Sequence, residues 1–135
     1  MYEKIAVENL ELGGTLGALG VSASNIVVSS ECATVAAPLT LAAGAVLEFS
    51  RLPDGSFTSL AADSVAAEGD VSVVVSADSW RRLGRMPRQL VRGAVSGPGN
   101  WSVTCVGERS PAARLLVDSD GVYLEFAKGL IFSVR

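Results

Sequence analysis

The chain has 135 residues, 49% of them hydrophobic and 19% charged, with 14 acids against 11 bases for a net charge of −3. That length suits one domain with its own core, and the apolar share excludes a disordered chain. A mildly acidic total excludes a general nucleic-acid footprint, which would be basic. The apolar surplus lies in Ala and Val rather than in aromatics, which make up 6%. Small side chains bury little area each, so a partner subunit is a natural further source of stability.

The N-terminus, Met1-Tyr2-Glu3-Lys4-Ile5, carries an early acid and no apolar h-region, so no signal peptide is predicted. No apolar run reaches the roughly 20 residues that span a bilayer. The stretch from Ala33 to Leu47 is interrupted by Pro38 and Gly44 and closed by Glu48. These features predict a cytoplasmic product with no membrane partner. Residues 1–12 alternate loosely through Ile5, Val7, Leu10 and Leu12 and read as a strand or an extended arm. Gly13, Gly14, Gly17 and Gly20 follow, a density that disfavours helix and strand and predicts a flexible loop. The expected organisation is an arm and Gly-rich loop over 1–24 and a single β domain over 25–135.

From Asn25 onward short strand signals alternate with turns. Ile26-Val27-Val28 is one strand, and Ala45 to Leu52 is a second with period-2 alternation. Pro53-Asp54-Gly55 is a turn, and Ser56 to Leu60 is expected to close a hairpin with the strand before it. Glu68-Gly69-Asp70 turns into a Val-rich strand over 71–77. Asp78 or Ser79 is suited to cap a short helix from Trp80 to Leu83, which Pro87 limits to about two turns. Strands are predicted over 89–95, 101–106, 113–117, 122–126 and 130–134, with a loop at 96–100 and an Asp-Gly hairpin turn at 118–121. The rhythm indicates an all-β fold of about eight to ten short strands, arranged as an antiparallel sandwich, jelly roll or barrel, with at most one short helix. No βαβ rhythm is present, which argues against a parallel sheet, and no repeat at a fixed period is visible.

Histidine is absent. No Ser-His-Asp or Cys-His nucleophile system is available, and zinc loses its commonest ligand. No phosphate-binding or dinucleotide fingerprint occurs. Asp118, Asp120 and Gly121 superficially suggest a calcium loop, but Val122-Tyr123-Leu124 does not supply the oxygens in order, and a hairpin turn explains them. Asp63, Glu68, Asp70 and Asp78 read as solvated turn acids. Cys32 and Cys105 lie in apolar, strand-like surroundings and read as buried reduced thiols, with a single bridge as the alternative. The chain is therefore expected to be no enzyme and to hold no metal or cofactor.

The densest chemical feature is basic. Arg81, Arg82, Arg85, Arg88 and Arg92 stand within twelve positions, among Trp80, Leu83, Met86 and Leu90. Three readings are open: a solvated loop that offsets the acidic remainder, docking to an acidic protein surface, and nucleic-acid contact. The last fits least, because no aromatic interleaving supports base stacking.

Leu39-Thr40-Leu41-Ala42-Ala43-Gly44-Ala45-Val46-Leu47, Asp54-Gly55-Ser56-Phe57, Ala61-Ala62-Asp63, Glu68-Gly69-Asp70 and Val91-Arg92-Gly93-Ala94-Val95 resemble the head-decoration proteins of lambda-like tailed phages. The closing Gly129-Leu130-Ile131-Phe132 is also similar to a terminus of that family. The resemblance covers about half the chain and departs from the family over 79–90 and from Trp101 to Asp118. It implies a homo-oligomer, dimer or trimer, made in the host cytoplasm. That oligomer sits on the virion's capsid surface and cements neighbouring major capsid protein subunits. On that reading the arm residues Tyr2, Ile5, Val7 and Leu10 and the segment residues Trp80, Arg81, Arg82, Arg85, Arg88 and Arg92 bear on the partner. Alternatives are another virion part, such as a tail or baseplate β domain, and a carbohydrate-binding β-sandwich.

Overall fold

Alternation of inward and outward side chains makes a strand but does not choose its neighbour. In a computed structural model, which describes residues 4–80, 88–108 and 111–126, no helix occurs among the described residues. The strands are β1 (Lys4–Leu12), β2 (Thr15–Gly17), β3 (Gly20–Val28), β4 (Ala33–Ser50) and β5 (Leu60–Ala67), followed by β6 (Val71–Ser79), β7 (Arg88–Ser96), β8 (Trp101–Glu108), β9 (Ala113–Asp118) and β10 (Gly121–Phe126). The all-β class and the strand number agree with the sequence.

The antiparallel sandwich, jelly roll or barrel does not. The pairs β1–β3, β2–β4, β3–β4, β4–β5, β4–β6, β5–β7 and β6–β8 are all parallel. Among the described strands only β10 pairs antiparallel, with β7 and with β9. The chain winds as a coil, and each turn of the coil lies on the turn before it. Parallel neighbours need a long crossover, which is usually a helix. Here the remainder of each coil serves instead, so the missing βαβ rhythm does not exclude a parallel arrangement.

The coil has three sides. On the first, Ile5, Val21, Leu39, Val65 and Val95 stack in register. On the second, Leu10, Ile26, Leu47, Val73 and Val103 do the same. On the third, Ala33, Leu60, Val91 and Val122 form a column whose last step is antiparallel. The middle rungs are sealed, with Ile26, Leu47 and Val65 fully buried. Each buried Leu, Ile or Val of this kind contributes about 1.5–3 kcal/mol. β4, at 18 residues, runs along all three sides, bending at the register shift between Val35 and Pro38 and at Gly44.

Corners are where the chain must turn with backbone lying on backbone. Gly97 (φ 120°) and Gly107 (φ 128°) sit at such points. A Cβ on either would stand 1.9 Å from the carbonyl oxygen of Ala67 or Ala77 in the rung beneath. At the Gly97 corner the Asp70 carboxylate accepts from the Asn100 backbone N–H at 2.9 Å, tying neighbouring rungs together.

Residues 4–24 are not an arm. β1 pairs with β3 from Lys4↔Gly20 to Leu12↔Val28, and the boundary expected at 24/25 falls inside β3. The Gly-rich stretch is a corner, a short strand and the start of a rung. The expected hairpin is small: Arg51 bridges Phe57, and residues 60–67 then run on as a parallel strand. Trp80 is not helical, while the rest of the expected helix and the strand at 130–134 lie outside the described residues.

Deleting residues 2–12 would uncover Val21 and Ile26 at the end of the stack. We expect the melting temperature to fall by roughly 10 °C or more, or cooperative unfolding to be lost. Circular dichroism melting of the truncated chain checks this, and an unchanged transition would contradict the fold.

Candidate functional site

Turns of the coil lengthen at one corner, between the second and third sides. There the connection is Gly13–Gly14 in the first turn, residues 29–32 in the next and residues 51–59 in the third. Beside these loops lies an open groove of about 900 Å³, lined by Arg51, Asp54, Ser56, Asp78, Arg88 and Gly107 among others.

The groove is built around a tight turn. The Asp54 carboxylate accepts from the Ser56 hydroxyl at 2.6 Å and the Ser56 backbone N–H at 2.9 Å. The same hydroxyl also lies 2.8 Å from Glu31 Oε1, so one proton is shared between two carboxylates of successive loops. The Ser56 side chain first, and its backbone N–H second, hold the Asp54 carboxyl below its ordinary range. The unfolded chain has the higher value, so the turn's gain is complete above that range and is lost as pH falls through the folded value.

Beneath the groove an aromatic cluster closes the core. Trp80 packs on Phe57 with ring centroids 6.0 Å apart and on Phe126 at 5.9 Å. Its Nε1–H donates to the Val106 carbonyl at 3.0 Å, and it is only 3% exposed. Trp80 is therefore a core residue rather than an exposed one, because its amphipathic ring finds both an apolar bed and an acceptor inside the fold. The guanidinium carbon of Arg88 stands 5.9 Å from the Phe57 ring centroid, a cation–π distance.

Of the other residues expected to meet a partner, Arg88 reaches the groove. Arg92 is exposed in the middle of β7, in a smaller depression with Gln89, Asp120 and Tyr123. A bulge in the β7–β10 pairing separates the two arginines. Ile5 and Leu10 pack against the core as part of the end rung, and Val7 is 36% exposed. None of the three belongs to a detachable arm, since backbone pairing to β3 fixes them. Tyr2, Arg81, Arg82 and Arg85 lie outside the described residues. Arg51, Asp54 and Ser56 are not among the site residues expected from sequence, because nothing local shows that residues 51–56 come to lie beside 76–78 and 106–107.

Asp118 Oδ1 accepts from the backbone N–H groups of Asp120 at 2.7 Å and Gly121 at 3.2 Å, so the hairpin turn uses the carboxylate. Among the described residues no group of three or more His, Cys, Asp or Glu is placed to hold a metal ion. Both cysteines are unbonded, but Cys32 is exposed in the turn before β4 rather than buried. Cys105 is half-buried in the last rung of the second side, and burial pushes its thiol up to about 11. Trp101 also packs against the core and is half-buried.

No protein family, curated protein or solved structure matches this chain. The groove offers charges of both signs and a hydroxyl for contact with a polar surface, and the coil offers sides of stacked strands for contact with another chain.

At pH 8 a thiol raised from 9.0 to about 11 holds roughly a hundredfold less thiolate than an ordinary one. We expect a disulfide reagent such as DTNB to modify one thiol per native chain quickly, mapped to Cys32, and Cys105 only slowly until the chain is unfolded. Equal rates at both would contradict the burial of Cys105.

Proposed function

We propose that this chain is a structural module that works through contact with other protein surfaces and not through chemistry. The observation that carries the reading is the first side of the coil. Its outward column, Ala6, Ser22, Thr40, Ala66 and Ser96, repeats small uncharged residues in register over five rungs. A surface of that kind is flat, stiff and cheap to desolvate, because it lacks the long charged side chains that interface centres exclude.

The setting we propose is the outer surface of a phage capsid, where the module bridges neighbouring major capsid subunits. The support for that setting is the resemblance of the sequence to head-decoration proteins. The coil accounts for the same residues in another way: Gly44 and Gly93 are corners with positive φ, and Asp54-Gly55 is the turn beside the groove. The contact proposal therefore stands on the flat side alone, and the capsid setting on the resemblance alone. Many copies on a lattice would turn a weak single contact into firm attachment.

Co-sedimentation of the purified chain with emptied, expanded shells of a lambda-like phage tests both. Saturable binding of many copies per shell is expected, with loss of at least about tenfold in affinity for the variant S22R/S96R at unchanged melting temperature. Absence of binding to any shell would remove the capsid setting. Binding that survives the double substitution would remove the flat side as the contact.

A further inference from the structure

β9 is the last strand in the row β7–β10–β9 and pairs with no described strand other than β10. On it Leu116 is 38% exposed and Val117 43% exposed. An open strand edge is a template for another strand, and native edges are usually blunted by charge. β1, the edge at the other end, carries exposed Glu8 and Glu11. β9 carries apolar residues between one cation and one anion: Arg114-Leu115-Leu116-Val117-Asp118.

That order is self-complementary. Arg114 stands two residues before Leu116 and Asp118 two residues after it. In an antiparallel pair about a twofold axis through Leu116, each Arg114 lies opposite Asp118 of the second copy, and Leu116 faces Leu116. Leu115 then lies opposite Val117, which covers the most exposed apolar residue of the strand. A slip of one residue would set inward Leu115 beside outward Leu116, and a slip of two would set Arg114 or Asp118 opposite Leu116. One register alone matches both the charges and the faces.

The chain's own sheet extends the same rows. Glu125 lies opposite Arg114 and Tyr123 opposite Leu116. Arg114 is already held outward by Glu125, with Nη2 at 2.5 Å and Nε at 2.6 Å from Oε1. The row Glu125, Arg114 and Asp118 of the second copy alternates in sign across three strands. Opposite charges facing across strands stabilise a sheet, and like charges destabilise it.

We propose that a second copy of this chain pairs along β9, antiparallel and centred on Leu116, joining two coils through one continuous sheet. This pairing needs no capsid and stands independently of the function proposed above.

Sedimentation of the full chain over a concentration series up to about 1 mM reads the association directly. We expect a concentration-dependent rise from 13.9 kDa toward twice that mass. L116R places two like charges face to face and should weaken association tenfold or more, with an unchanged melt because the side chain points to solvent. In a C32S background, L116C should form a disulfide-linked dimer under mild oxidation, while V106C, at a site 49% exposed on β8, should not. A wild-type chain that is monomeric throughout, an L116R variant that associates as well as wild type, or cross-linking at 106 as ready as at 116 would overturn the pairing.

Discussion

Register between stacked rungs is the constraint on which everything else in this molecule depends. Parallel strands of successive coils lie about 4.8 Å apart, so every inward side chain rests on the inward side chain of the turn below. A column such as Leu10, Ile26, Leu47, Val73 and Val103 is satisfied only if all its members are apolar and of compatible size. A polar residue at one level would leave an unpaired group between two sealed layers. The backbone enforces the same register from outside the core, since each rung donates to and accepts from its neighbours along three sides.

This constraint divides the chain into parts that cannot vary in length and parts that can. The sides are fixed by stacking. The corner between the second and third sides is not, and there the loops grow from two residues at Gly13–Gly14 to nine over 51–59. The groove lined by charges of both signs lies beside those loops, carried by elements that the columns hold rigid. Loops on a stiff frame are where binding groups usually stand. The ends of the stack behave differently from its middle. Trp101, Val103 and Cys105 in the last rung of the second side are only half-buried, and β9 ends the row on the third.

Much of the local structure could be read from the sequence, and the way it assembles could not. Val71 to Ala77, Gln89 to Val95, Trp101 to Val106 and Val122 to Phe126 read as strands because their alternation is strong, and all four are strands. Ala33 to Ala43 and Ala61 to Ala67 did not, because Pro38, Gly44 and runs of Ala look like interruptions. Pro38 is tolerated because it sits at a register shift in β4, and the alanines because a narrow coil takes small residues on its inner faces. Direction of pairing was beyond the reach of the pattern, since period-2 alternation is the same for parallel and antiparallel neighbours. The repeat was hidden for a related reason: along the column from Ile5 to Val95 the spacings are 16, 18, 26 and 30 residues, so no fixed period exists to find. The groove was hidden too, because Arg51, Asp78 and Gly107 meet only through the winding of the coil.

Backbone nuclear Overhauser contacts across the strand from Ala45 to Ser50 test this account most directly. Stacked coils predict that Leu47 is close to Ile26 on one side and Val73 on the other, with the contact pattern of parallel strands on both. Close Hα–Hα contacts pairing residues 45–50 with 56–60 along their whole length would describe an antiparallel hairpin. They would contradict the coil and every inference drawn from its register.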